Sequence, residues 1–558
     1  MKKSKLLAVM LGAVMIPTTL AVVGCGTPPP ATLDLQGDGT QANPYLIATA
    51  QDLDQITKPA ADKTGLITGK YFQLTENIGD TTNPYQTSAA EFNAIFDGIL
   101  LGNDKTITMA GNTALFEENE GTIQNLSIVG NVNADETEGV VGMLANKNEG
   151  TIKNVNIAGQ ATSTRGEASV LASAETNGVG GLVGLNDTTG KIEGAYSEAT
   201  IQAKVGGGGF AAINKGEIKT SYNTGIIGMA RPTDDTLWLS NTINYSVMGG
   251  IAGINFGSIL ASQNKSYVFA PALDTSATGY ESTMKGNDYI GGIAGYNKAN
   301  ATISECANMF GKVGSVNYIV FGDEYVGSIA GANAGTIEYS LVHQNLGARA
   351  KFGGITSTNE TTGTVKNCAV NANQARGALL GKLADAEACA AAEYWFIADT
   401  AVNSVYNSGA GRGAIPETAN AYTNCESGFS NTSSTASLLN ILNTGVSSLQ
   451  TKWFINTDSG NNNPYYQPMG NAVATLTTVT GDAANLKVTT YGLSKFGGDS
   501  VDVQPNGNAP TGYTFAGWSL TQGGEILTEG QSIVLTWTLT AGQNIVVYAV
   551  YTENPAVE

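Results

Sequence analysis

From Leu115 onward the apolar residues recur on two scales. Within short runs they alternate with polar ones, as Leu126 with Ile128 and Val155 with Ile157, which predicts strands with one face inward and one outward. On the longer scale a whole unit returns. LFEENEGTIQNLSIVGNV ends at Val132, GVVGMLANKNEGTIKNVNIAG starts at Gly139, and GVGGLVGLND starts at Gly178. Five further copies, among them MGGIAGINFGSILASQNKSYV and VGSIAGANAGTIEYSLVHQNLG, carry the pattern to Asn373.

The units align on an asparagine: Asn119, Asn148, Asn186, Asn214, Asn255, Asn297, Asn333 and Asn359. An apolar residue follows each one, at Ile123, Ile152, Ile192, Ile218, Ile259, Ile303, Ile337 and Val365. In five units a second apolar residue comes nine positions later, at Val132, Ile201, Ile227, Val268 and Leu346. A unit this short cannot cover its own inner face, so the units must stack as coils that bury one another. The eight asparagines read as structural, their amides hydrogen-bonding along the stack as a ladder. The glycine pairs read as chain corners, whose backbone angles exclude a side chain. The expected fold is all-β.

Composition agrees with strands and turns: 70 of 558 residues are Gly and only 13% are charged. The net charge of −19 comes from 28 basic against 47 acidic residues with no basic patch in sight, which argues against a nucleic-acid partner.

The N-terminus reads as a leader. Three lysines in MKKSK precede the apolar run LLAVMLGAVMIPTTLAVV, then Gly24 and Cys25. An uncleaved membrane helix is the alternative reading, set against Pro17 and the abrupt ending at Cys25. That ending resembles the lipobox of bacterial lipoproteins, which implies lipidation of Cys25 and attachment to the bacterial membrane on its extracellular face.

Two further resemblances concern the fold. GGLVGLND, with KIEGAYSEATI after it, and GGIAGINFGSILAS resemble GLUG repeats, found in bacterial surface proteins including non-catalytic parts of some IgA-cleaving metallopeptidases. Residues 37–56, GDGTQANPYLIATAQDLDQI, are similar to the lead-in of such proteins. The resemblance implies a right-handed parallel β-helix. PTGYTFAGWSLTQGGEILTEG followed by VVYAVYTE is similar to the Listeria-Bacteroides repeat, which implies a small β-grasp-like domain with Tyr513, Phe515, Trp518 and Tyr548 in its core and corner. The resulting division is a signal peptide at 1–24, a tether at 25–36, the β-helix at 37–373, closing coils and cap at 374–470, and the C-terminal domain at 471–558. Residues 229–246 and 268–288 read as insertions, and Ala384 to Ala401 and Ser437 to Lys452 as short helices or an irregular cap.

Signals for chemistry are sparse. With His343 the single histidine, HExxH zinc sites are excluded and any Ser-His or Cys-His mechanism rests on that residue. The GLUG-bearing metallopeptidases' activity is therefore not carried over. Asp234-Asp235 and Asp323-Glu324 are the carboxylate pairs a carbohydrate-active enzyme would use. No metal cluster or cofactor motif is evident.

Loops on a rigid solenoid collect binding residues, which singles out Trp238, Tyr245, Tyr267, Phe269 and Tyr280 in and around the insertions. Cys306 and Cys368 fall two coils apart, too far for a disulfide, whereas Cys389 and Cys425 are free to pair or not. The reading is of a lipid-anchored surface adhesin or ligand-binding protein for a glycan or a surface protein. A carbohydrate-active enzyme and a structural spacer are the alternatives.

Overall fold

The computed structural model describes residues 33–370 except 59–63, 89–93, 135–138, 164–170, 230–243, 270–285, 310–311, 314–315, 318, 323, 344 and 349–350. Beyond 370 it describes strands between 393 and 553 and Asn554. The chain winds as a parallel β-helix with three sheets running along its axis. One sheet has nine strands, from Ile95–Phe96 through Ala211–Asn214 to Thr356–Asn359. A second has eight, from Val140–Val141 to Glu393–Trp395, and a third carries the segments that follow each asparagine. Nine strands spaced about 4.8 Å apart span about 38 Å.

One coil runs Gly206–Gly208, Ala211–Asn214, Glu217–Lys219, Tyr222–Asn223 and Ile227–Met229. The next coil pairs with it in parallel register, Ile213 beside Ile254, Ile218 beside Ile259 and Ile227 beside Val268. Both apolar columns read from the sequence are therefore real stacks. The first, from Ile123 to Val365, is buried at every level. The second passes through Val132, Ala161, Ile201, Ile227, Val268, Val320 and Leu346. Ala161 keeps the nine-residue spacing, from Ile152, with a small side chain, whereas Val320 departs from it because extra residues precede it. Each coil's apolar face is covered above and below, which one coil alone could not achieve.

The glycine pairs play a different role from the one their composition implies. Gly180, Gly208, Gly249, Gly291, Gly327 and Gly353 have no left-handed backbone angle; a Cβ there would sit 1.8–2.0 Å from the carbonyl oxygen three residues on. They are needed for close approach of backbone to backbone. The left-handed corner lies elsewhere, two residues after the first apolar column. It is occupied by Asn125, Asn154, Gly194, Thr220, Ala261, Glu305, Tyr339 and Asn367. Sequence variety hides that corner, because half of its occupants, Thr220, Ala261, Glu305 and Tyr339, are residues that rarely adopt positive φ.

At the N-terminal end, the strand Tyr45–Ile47 pairs with Tyr71–Leu74, and Gln36 bridges Leu46 in antiparallel sense. The helix Ala50–Thr57 begins with a capping box in which Thr49 and Asp52 satisfy each other's backbone N–H groups. Its Leu53 and Ile56 are buried. These elements cover the open edge of the first coil, which would otherwise pair with another chain.

Three expectations are corrected. Within Ala384 to Ala401 the segment Glu393–Trp395 is a β-strand, because it pairs with Lys351–Gly353 as one more rung. Within the span read as closing coils, solenoid strands continue at Ala401–Val402, Val405–Tyr406, Tyr422–Thr423 and Glu426–Ser427. The insertions are shorter than they read. Tyr245 belongs to the rung strand Asn244–Gly249 and Phe269 to Val268–Phe269, where neighbouring coils supply their pairing. Tyr513 is not a core residue but 41% exposed.

The C-terminal domain is a five-stranded sheet in the order Lys487–Leu493, Ala474–Thr480, Asn544–Glu553, Tyr513–Ser519, Thr528–Glu529. Its central pair, the first and last strands, is parallel and the rest are antiparallel, a β-grasp order. Trp518 is fully buried, with the ring of Phe515 5.2 Å away in an edge contact. A packed indole has no face to offer a sugar.

Candidate binding surface

The eight repeat asparagines are buried or nearly so and joined in one chain of side-chain hydrogen bonds. Each Nδ2 donates to the Oδ1 of the next, from Asn119 to Asn359, over 2.6–2.8 Å. The Nδ2 of Asn214 also donates to the carbonyl of Gly216 at 3.3 Å. That second contact turns the amide, so Nδ2 faces the next coil and Oδ1 the previous one. At the start of the ladder the Oδ1 of Asn119 has no hydrogen-bond partner, because Phe96 occupies its register on the coil before.

A second ladder, Asn223 to Asn264 to Asn308, runs at 2.9 and 3.0 Å inside the third sheet. Sequence reasoning missed it. The spacing from the repeat asparagine is nine residues in the first two coils and eleven in the third, and only three coils carry it. Gly209, Gly250 and Gly292 leave it room, since a Cβ on each would lie 2.1–2.8 Å from an amide atom.

Aromatic side chains gather on the outside of the coils between the two shorter sheets. Tyr289 lies between Tyr296 and Tyr325, with centroids 5.2 and 4.7 Å apart and ring planes within 9° and 8° of parallel. The Lys298 ammonium sits 4.0 Å from the Tyr296 ring centre and pairs with Glu175 at 2.8 Å. Glu175 ends the short 3₁₀ turn Leu171–Glu175, whose Ala174 packs with Val205, Val247, Ile254 and Tyr296.

Burial raises the Tyr296 phenol above its ordinary range, and its hydrogen bond to Glu360 adds to the effect, so the hydroxyl stays protonated and donates to that carboxylate. Tyr296 is nearly buried, whereas Phe256, Tyr289 and Tyr325 are partly exposed. Stacking engages both faces of Tyr289, leaving ring edges and phenol groups toward solvent. One signal for the row was present in the sequence: Tyr289 and Tyr325 hold the same place in successive units.

Of the binding residues read from sequence, Tyr267 is half-buried, and its carbonyl accepts from the Ile227 amide at 3.0 Å. For Tyr245 and Phe269 only the backbone is described, and Trp238 and Tyr280 lie outside the described residues. The same holds for Cys25, Asp234, Asp235, Asp323, Cys389 and Cys425. His343 is placed by its backbone alone, in register with Met309.

Cys306 and Cys368 are both buried, with Ser340 on the coil between them and no disulfide joining them. Glu118, Glu120 and Glu149 bring three carboxylates within 4.8 Å of one another. Lys147 answers their charge, pairing with Glu118 at 2.8 Å and also with Glu149, and its pKa is raised by those hydrogen bonds. Among the described residues no helix is long and apolar enough to cross a membrane.

No protein-family model matches the chain, and no curated protein matches it. Among solved structures it is similar to that of "a putative immunoglobulin A1 protease from Bacteroides ovatus", at 15% identity, over 77% of this chain and 94% of that one, with a TM-score of 0.28. A likeness that distant carries no argument about activity.

Proposed function

We propose that the chain is a non-catalytic bacterial surface protein, anchored to the outer face of a membrane through lipid on Cys25. In this reading the β-helix is a stiff carrier that presents binding surfaces to a glycan or a surface protein. GLUG-type repeats and a Listeria-Bacteroides-type C-terminal domain belong to the same reading.

The observation that carries it is the outward aromatic row Tyr289, Tyr296 and Tyr325, ending at Lys298. Tyr289 and Tyr325 are partly exposed and held rigid by their stacking and by the nearly buried Tyr296. Their ring edges and phenol groups therefore lose little entropy on binding, and aromatic residues of this kind dominate interface energies. The test is binding of the secreted chain to a glycan panel and to whole cells, with and without Ca2+, for wild type and for Tyr325→Ala. Specific binding weakened by the substitution is expected. Absence of binding to every glycan and cell type would refute the reading.

A further inference from the structure

Three strands of the third sheet are much longer than the rest: Ile99–Gly111, Thr122–Ala134 and Thr151–Ser163, each of 13 residues. The second and third pair over twelve positions in parallel register. Beneath them lie Ile107, Ile128 and Ile157, all buried. The alternate residues point outward in rows. One row is Thr106, Ser127 and Asn156, another Thr108, Val129 and Ala158, and a third Gln86, Ala110, Asn131 and Gln160. Asn133 and Thr162 begin a fourth that ends at Gln202. Val129, Asn131, Asn133, Gln86 and Gln160 are exposed and most of the others partly so.

None of these side chains is charged. Asp104, Lys105 and Lys153, on the same strands, lie at or beside the left-handed corners formed by Asn103, Asp104 and Asn154. Exposed Glu198 borders the rows on the next coil, and Glu117, Glu118, Glu120, Lys147 and Glu149 lie on the coils' other sides. The neutrality is therefore local to this face. We infer that the face binds an extended, uncharged polysaccharide, an inference that rests on the ligand-binding reading above and gives it a second site.

Amides and hydroxyls each offer both donors and acceptors, as do sugar hydroxyls, while Val129, Ala110 and Ala158 offer apolar spots for the C–H faces of sugar rings. Rows repeating about every 4.8 Å match a polymer of repeating units better than a unique epitope. An anionic glycan would meet the field of a chain with net charge −19, and these outward rows hold no compensating cation. On its three long strands the face carries none of the Trp, Tyr or Arg anchors of a protein interface, and Tyr196, in register with Asn156 on the next coil, is buried. Side chains within it are already ordered, Gln160 donating to Gln202 and to Thr162 at 3.1 Å each, which lowers the entropy lost on binding.

The test is affinity electrophoresis of the secreted chain in gels cast with dextran, laminarin or galactomannan, against alginate and polygalacturonate. At least one neutral polymer should retard the wild type, and retardation should persist in about 1 M NaCl, where the Debye length is about 3 Å. The double variant Asn131→Asp/Gln160→Glu, nearly isosteric and on the surface, should keep its circular dichroism and melting temperature yet bind about tenfold more weakly or worse.

Equal retardation of the double variant, or retardation by the anionic polymers alone, would overturn the inference. So would failure of all three neutral polymers, or a variant that differs only in self-association by sedimentation, which would make a second copy the occupant. Glycan or cell binding lost in Tyr325→Ala but kept in the double variant would leave the ligand-binding reading standing without this face.

Discussion

Replacing Asn214 by alanine removes an interior link of the amide ladder. The side chain is fully buried, accepts from Asn186 at 2.8 Å and donates to Asn255 at 2.8 Å. Without it the Oδ1 of Asn255 faces an apolar methyl group with no donor. The Nδ2 of Asn186 keeps only its longer contacts to the carbonyls of Gly190 and Glu217, both at 3.3 Å. One orphaned acceptor and one weakened donor cost about 1–3 kcal/mol each, so the expected loss is about 2–6 kcal/mol.

Asn119→Ala is the matched control at the end of the same ladder. Its Oδ1 already lacks a partner, so only the Asn148 acceptor is orphaned and about half the loss is expected. Urea unfolding of the full chain, followed by circular dichroism together with limited proteolysis, measures both, since coils of a solenoid can open separately. A terminal substitution that costs as much as the interior one, or an interior cost below about 1 kcal/mol, would refute the claim that the amides act as a connected ladder.

Three other outcomes follow from the geometry. Gly249→Ala should destabilise by more than about 3 kcal/mol, because the new Cβ would lie 1.9 Å from the Ala252 carbonyl oxygen, and a denaturant midpoint unchanged from wild type would contradict the close-approach argument. Ala261→Gly should stabilise by roughly 0.5–1 kcal/mol by relieving a backbone held at φ 46°; calorimetry showing a lowered melting temperature would count against it.

Burial pushes the Cys306 thiol from an ordinary 9.0 up to about 12, so the folded chain holds that proton more tightly than the unfolded one. The associated stability is intact below about pH 9 and falls as pH rises toward 12. Cys306→Ala should show a shallower loss across that window in urea titrations at several pH values, and identical slopes would exclude the effect.

Much of the solenoid was legible because its determinants repeat in sequence. The apolar columns and the eight asparagines recur at fixed places within each unit, and stacking in register maps sequence position directly onto axial columns. Where the register drifts, the sequence misleads. Val320 joins its column from a shifted position, and the Asn223–Asn264–Asn308 ladder covers only three coils. Glu393–Trp395 continues the second sheet although the repeat motif has faded, since a rung needs only backbone partners and an inward apolar face.

The candidate surfaces were harder to read. The tyrosine row joins Tyr296 with Tyr289 and Tyr325, which come from two different sheets, and only the turn between those sheets brings them into contact. The neutral face is invisible to composition, because its coils as a whole carry ordinary charges.

By itself, the sequence determined that this chain must stack: units too short to bury their own apolar faces have no other stable arrangement. It also determined which asparagines would line up, since equal positions in equal units share a column. Only the tertiary structure decided what the glycines are for and which residues bear the left-handed corner, because both depend on the distance from one strand's backbone to the next. It alone decided which uncharged side chains form one continuous face, a property of three strands side by side and of no single stretch of chain.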